Sequence, residues 1–98
     1  MEFFVYIIYS HKLRTFYKGQ TQDLNDRLSR HNNGYEKATT SGRPWTLLWA
    51  TQKGSRREAL LLEKKLKNLS QKRLLEFMMK YRQDMVTGQE SFIKGFEP

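Results

Sequence analysis

The chain has 98 residues, of which 38% are hydrophobic and 13% aromatic, so it can bury one core but not two. Its net charge of +8 favours contact with a polyanion such as nucleic acid, although ribosome contact, membrane-surface attraction or solubility could produce the same charge. The absence of cysteine excludes disulfides, thiolate metal sites and a cysteine nucleophile, and two histidines argue against a zinc site. Any metal is therefore expected to be a hard ion with oxygen ligands, such as Mg²⁺ or Mn²⁺.

The N-terminus is predicted to form a β-hairpin. Residues 3–9 are aromatic and β-branched, which is typical of a buried strand, and alternation puts Tyr6 and Val5 on opposite sides of it. Residues 11–15 are predicted to turn, and residues 16–21 to form a second strand in which Gly19 indicates a close backbone approach. The apolar run is too short for a signal sequence or a membrane span, so we expect a cytoplasmic protein without membrane association.

A helix, a loop and a third strand are predicted next. Residues 23–32 have helical character, and either Thr21 or Asp23 can cap the helix. Residues 35–44 are interpreted as a basic, turn-rich loop, and residues 45–51 as the third strand.

Two more helices are predicted in the second half. Ser55 and Glu58 have the spacing of a capping box, which marks the start of one helix. Ser70 is expected to cap the other, which runs to about Tyr81. Apolar residues recur at helical spacing through the first of these helices, at Ala59, Leu62, Leu66 and Leu69.

The predicted order of elements is ββαβαα. It indicates an α/β fold of the α+β type, with a small three-stranded antiparallel sheet flanked by helices. We assign residues 1–81 to one domain. Residues 82–98 have scattered apolar side chains and fit either a docked arm or a flexible tail.

Glu63 is the first candidate for chemistry. It lies at the border of the apolar stripe of its helix, where a carboxylate needs a partner. One interpretation is a rim carboxylate paired with Arg56, Lys67 or another helix. The other is a ligand of Mg²⁺, which often binds through one or two carboxylates together with substrate phosphate.

Arg27 and His31 are four residues apart and therefore share one face of the first predicted helix. An arginine there can direct two donors at a phosphate, and the histidine can bind phosphate or transfer a proton near neutral pH. A solvated basic helix face that includes Arg30 is the simpler interpretation of either residue alone.

Two strand tyrosines form the third candidate cluster. Tyr6 and Tyr17 lie on adjacent strands of the hairpin, so their hydroxyls could meet at one end of a pocket. A single strand tyrosine is more often a packed aromatic residue. A phenol also needs a nearby metal or cation before it can act as a base at neutral pH.

Together these residues resemble the GIY-YIG nuclease family. Phe4-Val5-Tyr6 and Tyr17-Lys18-Gly19 resemble the two tripeptides that name the family, with Phe-Val in place of Gly-Ile. The resemblance covers roughly residues 2 to 80 and looks closest to small stand-alone bacterial members, which resemble the nuclease module of the excision-repair subunit. It continues through Arg27 to Asn32, Lys37-Ala38-Thr39, Arg43-Pro44-Trp45 and the helix with Glu63 and Lys67, although Ala38 stands where an aromatic residue is expected.

The resemblance implies a metal-dependent DNA endonuclease, in DNA repair or recombination. It implies a divalent metal ion, Mg or Mn, on Glu63, and five catalytic residues: Tyr6, Tyr17, Arg27, His31 and Glu63. The expected substrate-binding residues are Gly19, Lys37, Thr39, Arg43 and Lys67. The expected partner is DNA, RNA remains open because nothing here reads a 2′-hydroxyl, and the chain is expected to be a monomer or a weak homodimer.

Two other functions fit the same sequence. A nucleic-acid-binding module on the same scaffold would bind without cleaving, through the basic loop 35–43 and the helix face with Arg56, Lys64 and Lys67. A protein-interaction domain would use the segment from Met85 to Phe96.

Overall fold

A computed structural model describes residues 2–96. Met1, at the start of the predicted domain 1–81, and Glu97 and Pro98, at the end of the predicted arm or tail 82–98, lie outside the described residues. Strands β1 (Phe3–Ser10), β2 (Thr15–Thr21) and β3 (Trp45–Lys53) form one antiparallel sheet in the order β2-β1-β3. The helices are α1 (Leu24–Asn32), α2 (Arg56–Lys67), α3 (Gln71–Lys80) and α4 (Glu90–Lys94), with 3₁₀ helices at Lys37–Gly42 and Arg82–Asp84. The predicted fold class and the order ββαβαα of the main elements are confirmed.

The central strand β1 separates two layers of side chains. Val5 and Ile7 face one layer, in which they pack with Ala59 of α2, Leu74 of α3 and Ile93 of α4; we call this side the α2 face. The opposite side, the α1 face, contains Tyr6, Ile8 and Trp45, against which Leu24 and Leu28 of α1 pack. The alternation predicted for β1 is confirmed, because a strand buried on both sides still divides its side chains by a period of two.

Three helices are preceded by an N-cap residue whose side chain accepts a hydrogen bond from a free backbone N–H group of the first turn. Asp23 Oδ1 accepts from the N–H of Asp26 at 3.0 Å, which selects Asp23 from the two predicted caps. Ser55 Oγ accepts from the N–H of Glu58 at 3.1 Å and also donates to the Glu58 carboxylate. Ser70 Oγ accepts from the N–H of the residue three positions later, as predicted.

The segment predicted as a basic, turn-rich loop contains the 3₁₀ helix Lys37–Gly42, which was not predicted. The Glu36 carbonyl oxygen accepts from the Thr39 N–H at 3.0 Å and from the Thr40 hydroxyl at 3.0 Å. The Trp45 indole N–H then donates to the Thr39 carbonyl at 2.8 Å. Threonine hydroxyls that bond to nearby carbonyls support such a turn, and this signal is absent from hydrophobic periodicity. Smaller differences are that β3 runs two residues further than predicted and α3 ends at Lys80.

Residues 82–96 lie against the α2 face. The Val86 N–H donates to the Leu48 carbonyl at 2.8 Å, and the preceding residue forms a bridge with Trp49 of β3. Further along, Ile93 is buried, and Phe92 and Phe96 pack edge-on against Tyr9. Within residues 2–96, no helix is long and apolar enough to cross a membrane.

Replacing Ile93 with Ala tests whether this arm contributes to the core. Ile93 is 2% exposed, so its truncation is expected to lower the free energy of unfolding by about 2–5 kcal/mol in urea denaturation. Ser91→Ala in the same helix is the matched control; its side chain is exposed, and a change within about 0.5 kcal/mol is expected. Equal stability of the two variants would contradict the docked arrangement.

Candidate active site

A buried hydrogen bond between Tyr6 and His31 lies at the centre of the α1 face. Tyr6 projects from the central strand towards the last turn of α1, where its hydroxyl oxygen is 2.8 Å from His31 Nε2. Both residues are 1% exposed. The two residues that sequence reasoning assigned to different elements therefore form one unit.

The other ring nitrogen of His31 is also engaged. His31 Nδ1 lies 2.7 Å from the hydroxyl oxygen of Thr39, which is 1% exposed. Burial lowers the pKa of His31; the positive charge of Arg27 adds to this effect, and the carboxylate of Glu36 opposes it. The imidazole is therefore held neutral between two hydroxyl groups.

Arg27 faces the same phenol from α1. Burial raises the pKa of Tyr6 far above its usual value, and the nearby Tyr17 adds to the increase, while the charge and hydrogen bond of Arg27 act in the opposite direction. The net effect keeps Tyr6 protonated at neutral pH. The Arg27 side chain remains 36% exposed, so it lies between the buried Tyr6–His31 pair and the protein surface.

Glu36 balances the arginines of α1. Its carboxylate accepts from Arg30 Nε at 2.8 Å and lies 3.9 Å from Arg27 Nε. The hydrogen bond from Arg30 is the main reason why the pKa of Glu36 is lowered. Glu36 was not predicted as a site residue, because a loop glutamate with no regular spacing to α1 has no sequence pattern that marks this contact.

Tyr17 completes the aromatic group on the α1 face. It is the cross-strand partner of Ile8, and its ring centroid lies 5.2 Å from that of His31 and 6.2 Å from that of Trp45. Tyr17 is only partly buried. Four predicted catalytic residues thus lie together on one side of the sheet: Tyr6, Tyr17, Arg27 and His31.

Gly19 allows the Tyr6 ring to lie flat across β2. It is the direct cross-strand partner of Tyr6, and a Cβ atom at this position would stand 2.5 Å from the Tyr6 hydroxyl oxygen. The close approach predicted from sequence is therefore made by the Tyr6 side chain, on a buried glycine.

Glu63 lies apart from this group, on α2, which packs on the opposite face of the sheet. Its carboxylate is 3.4 Å from Lys67 Nζ, an i, i+4 pair on the helix. Burial lowers the pKa of Lys18 on the edge strand β2, and the positive charge of Lys67 adds to this effect. Lys18, Glu63 and Lys67 therefore lie in one region. Glu63 is 17% exposed and Lys67 is 53% exposed.

The remaining predicted binding residues lie on the protein surface. Lys37 and Arg43 are exposed, and Arg43 Nε donates to the Thr40 carbonyl at 2.9 Å. A cleft of about 320 Å³ at the end of β2 is lined by Thr21, Asp23 and Arg27 and by Arg56 of α2. This cleft places basic side chains of α1 and α2 on one opening, which fits a phosphate backbone.

The donor chemistry fits a weakly held hard cation rather than a preformed cage. Within the part of the chain that the structure describes, no group of three or more His, Asp, Glu or Cys side chains could hold a metal ion. Glu63 offers one partly exposed carboxylate. Such a site suits Mg²⁺ or Mn²⁺, which retain waters and complete their coordination with substrate phosphate.

Comparisons with known proteins give two findings. A model of the GIY-YIG catalytic domain matches residues 2–82, a range that contains the sheet, α1 to α3 and every predicted site residue. The chain is also similar to a UPF0213 protein of Bacillus halodurans with a solution NMR structure, at 30% identity and a TM-score of 0.53, over 81% of this chain and 84% of that chain. Among curated proteins, none matches significantly.

Gly19→Ala tests the packing of Tyr6 on the edge strand. The added methyl group is expected to displace the phenol and lower the free energy of unfolding by about 1–3 kcal/mol, measured by urea denaturation. The matched control is Gly54→Ala, whose Cβ would meet only Glu58 Oε1, at an ordinary 3.6 Å, and should be nearly neutral. If the two variants behave alike, the Tyr6 ring does not depend on Gly19.

The neutral state of His31 makes stability depend on pH in one direction. Because burial lowers its folded-state pKa, the unfolded chain binds this proton more readily below the usual value of about 6.5. The free energy of unfolding should therefore fall as pH drops from about 7 through the folded-state pKa. The lowered pKa of Glu36 acts in a separate window, below its usual 4.5. Constant stability below about pH 6.5, with an NMR titration of His31 at or above that value, would contradict the prediction.

Proposed function

The chain belongs to the GIY-YIG nuclease family, and on that premise we propose that it is an endonuclease that hydrolyses DNA phosphodiester bonds with one divalent metal ion. The observation that carries the proposal is the convergence of Tyr6, Tyr17, Arg27 and His31, the predicted motif residues of β1, β2 and α1, on one side of the sheet. The net charge of +8 supports a polyanionic substrate. Cleavage in DNA repair or recombination, in the cytoplasm, is the setting that we propose.

Arg27 is the group best suited to hold the scissile phosphate. Its guanidinium is partly exposed, opens onto the cleft at the end of β2 and lies beside the phenol of Tyr6. A planar guanidinium can donate two hydrogen bonds to a phosphate and offset the charge that grows during attack. Arg56 on the other side of the cleft supports binding of the flanking backbone.

The two tyrosines differ in exposure, which supports different roles. Tyr17 is partly exposed and is the phenol that can meet an attacking water molecule. Tyr6 is buried, remains protonated and is hydrogen-bonded to His31 Nε2, so its role is to hold the histidine in place. Both ring nitrogens of His31 are engaged by buried hydroxyl groups, so the imidazole does not meet the attacking water directly.

Glu63 is the proposed protein ligand of the metal. Enzymes of this family generally use a divalent metal ion. When bound, the ion supplies Lewis-acid polarisation of the phosphoryl oxygen and stabilises the leaving oxygen. Lys67 pairs with the Glu63 carboxylate and is half exposed, so its side chain would be free to contact a phosphate if a metal ion bound Glu63.

The decisive experiment is a cleavage assay with matched charge variants. Labelled single-stranded, duplex, nicked and branched DNA, and single-stranded RNA, are incubated with Mg²⁺, Mn²⁺ or EDTA. Glu63→Gln and Arg27→Ala are each expected to lower the cleavage rate by about a hundredfold or more. The exposed residues Glu76 and Arg73 of α3 provide the controls Glu76→Gln and Arg73→Ala, which should cut like the unmodified protein.

Each other outcome would change a different part of the proposal: the reaction, the metal ligand or the substrate. Salt-sensitive binding without cleavage under any metal would replace the nuclease with the nucleic-acid-binding module. Cleavage that is unaffected by Glu63→Gln would remove Glu63 from the metal site while retaining the nuclease. Cleavage of RNA alone would change the substrate class.

A further inference from the structure

The protonation of His31 can be assigned from the groups around its ring. A neutral imidazole carries one proton, so one nitrogen donates and the other accepts. His31 Nε2 faces the Tyr6 hydroxyl at 2.8 Å and Nδ1 faces the Thr39 hydroxyl at 2.7 Å. Two opposite arrangements are therefore conceivable, and the outer partners of the two hydroxyls distinguish them.

The Tyr6 end favours Nε2 as the acceptor. Arg27 lies beside the Tyr6 phenol and contains only donors, so it offers the phenol proton no acceptor. If Nε2 donated to the phenol oxygen, the phenol proton would need another acceptor in a place that is 1% exposed. An unsatisfied buried donor costs about 1–3 kcal/mol, and in residues 2–96 no buried side-chain nitrogen or oxygen is without a partner.

The Thr39 end requires Nδ1 to donate. The Thr39 hydroxyl donates its proton to the Glu36 carbonyl oxygen at 3.2 Å, a carbonyl that it shares with the Thr40 hydroxyl at 3.0 Å. Because a hydroxyl has one proton, the Thr39 oxygen faces His31 as an acceptor. Both hydroxyls thus favour the same tautomer, with the proton on Nδ1.

We propose that Thr39 is a positioning residue that holds His31 in the Nδ1–H tautomer and so keeps Nε2 as the acceptor for the Tyr6 hydroxyl. The proposal replaces a substrate contact for Thr39, since its hydroxyl is directed at His31 inside the protein. Its consequence for cleavage rests on the proposed nuclease function. The tautomer itself does not.

The titratable and charged groups that surround His31 allow the effect of Thr39 to be isolated. Tyr6 faces the ring from β1, Tyr17 from β2, Arg27 from α1 and Glu36 from the segment before the 3₁₀ helix. Thr39 itself is uncharged. Removing its hydroxyl changes a hydrogen bond without changing any nearby charge, so a change in His31 reports on that bond.

The test uses Thr39→Val, which removes the hydroxyl at nearly constant shape, and Thr39→Ser, which retains it. Thr40→Val is the matched control, because Thr40 donates to the same Glu36 carbonyl from the next position in the 3₁₀ helix. The ¹⁵N and ¹H signals of the His31 ring are recorded by NMR in all four proteins. We expect Nδ1–H in the wild type, Thr39→Ser and Thr40→Val, and a population with Nε2–H in Thr39→Val.

Cleavage kinetics then measure the consequence. Thr39→Val is expected to lower kcat by roughly 10- to 100-fold with little change in KM, the range known for removing a group that orients a metal-binding histidine. Thr39→Ser should restore most of the rate. If Thr39 had only a structural role, Thr39→Val would be less stable but would show no change of tautomer and no selective loss of kcat.

Three results would overturn the proposal: Nε2–H in the wild type, an unchanged Nδ1–H signal in Thr39→Val, or normal kcat in a folded Thr39→Val protein. If Thr39→Val does not fold, the wild-type spectrum still decides the tautomer, and Thr39→Ser must then retain both the Nδ1–H signal and the rate. Absence of cleavage in the wild type would reject the nuclease function, whereas the NMR spectra would still decide the role of Thr39 in setting the tautomer.

Discussion

The hydrogen bond between Tyr6 and His31 constrains more of this protein than any other side-chain contact. It joins the central strand to α1 inside the core, where a phenol or an imidazole without a partner would be costly. It also explains glycine at position 19, because a Cβ atom there would occupy the space of the Tyr6 phenol. Thr39 follows from it as well, since the second ring nitrogen must also be satisfied. A three-stranded sheet of this size thereby orients polar groups that hydrophobic packing alone would leave undefined.

The same interaction divides the site into a closed part and an open part. Tyr6, His31 and Thr39 are closed to solvent, while Arg27 and Tyr17 form the boundary that a substrate can reach. Buried polar groups that are fully satisfied are rigid, and rigid support is what keeps a guanidinium or a phenol aligned with a reacting group. Glu63 belongs to α2 on the other face, so the proposed metal ligand and Arg27, the proposed phosphate-binding residue, lie on different helices.

The secondary structure was largely predictable because its signals are local. Alternation in β1 reflects a period of two, and the caps at Asp23, Ser55 and Ser70 each need only three neighbouring residues. The resemblance to GIY-YIG nucleases identified which tyrosines, arginine and histidine to consider, but not which atoms face each other. Thr39 and Glu36 belong to a segment without periodicity, and their contacts depend on how that segment folds back on α1. Such contacts are tertiary, so no local pattern encodes them.

Glu36 shows how a basic site remains available to a phosphate. Its carboxylate is bound closely by Arg30 at 2.8 Å and lies 3.9 Å from Arg27. Both arginines face the same oxygen, Oε2, and only Arg30 is within hydrogen-bond distance of it, so Arg27 lies beside the carboxylate without being bound tightly. On the proposed function, a phosphate at Arg27 would therefore compete only with a weak, partly exposed ion pair, whose contribution in water is small. Arg27 also lies beside the Tyr6 phenol, and its partly exposed guanidinium lines the cleft at the end of β2.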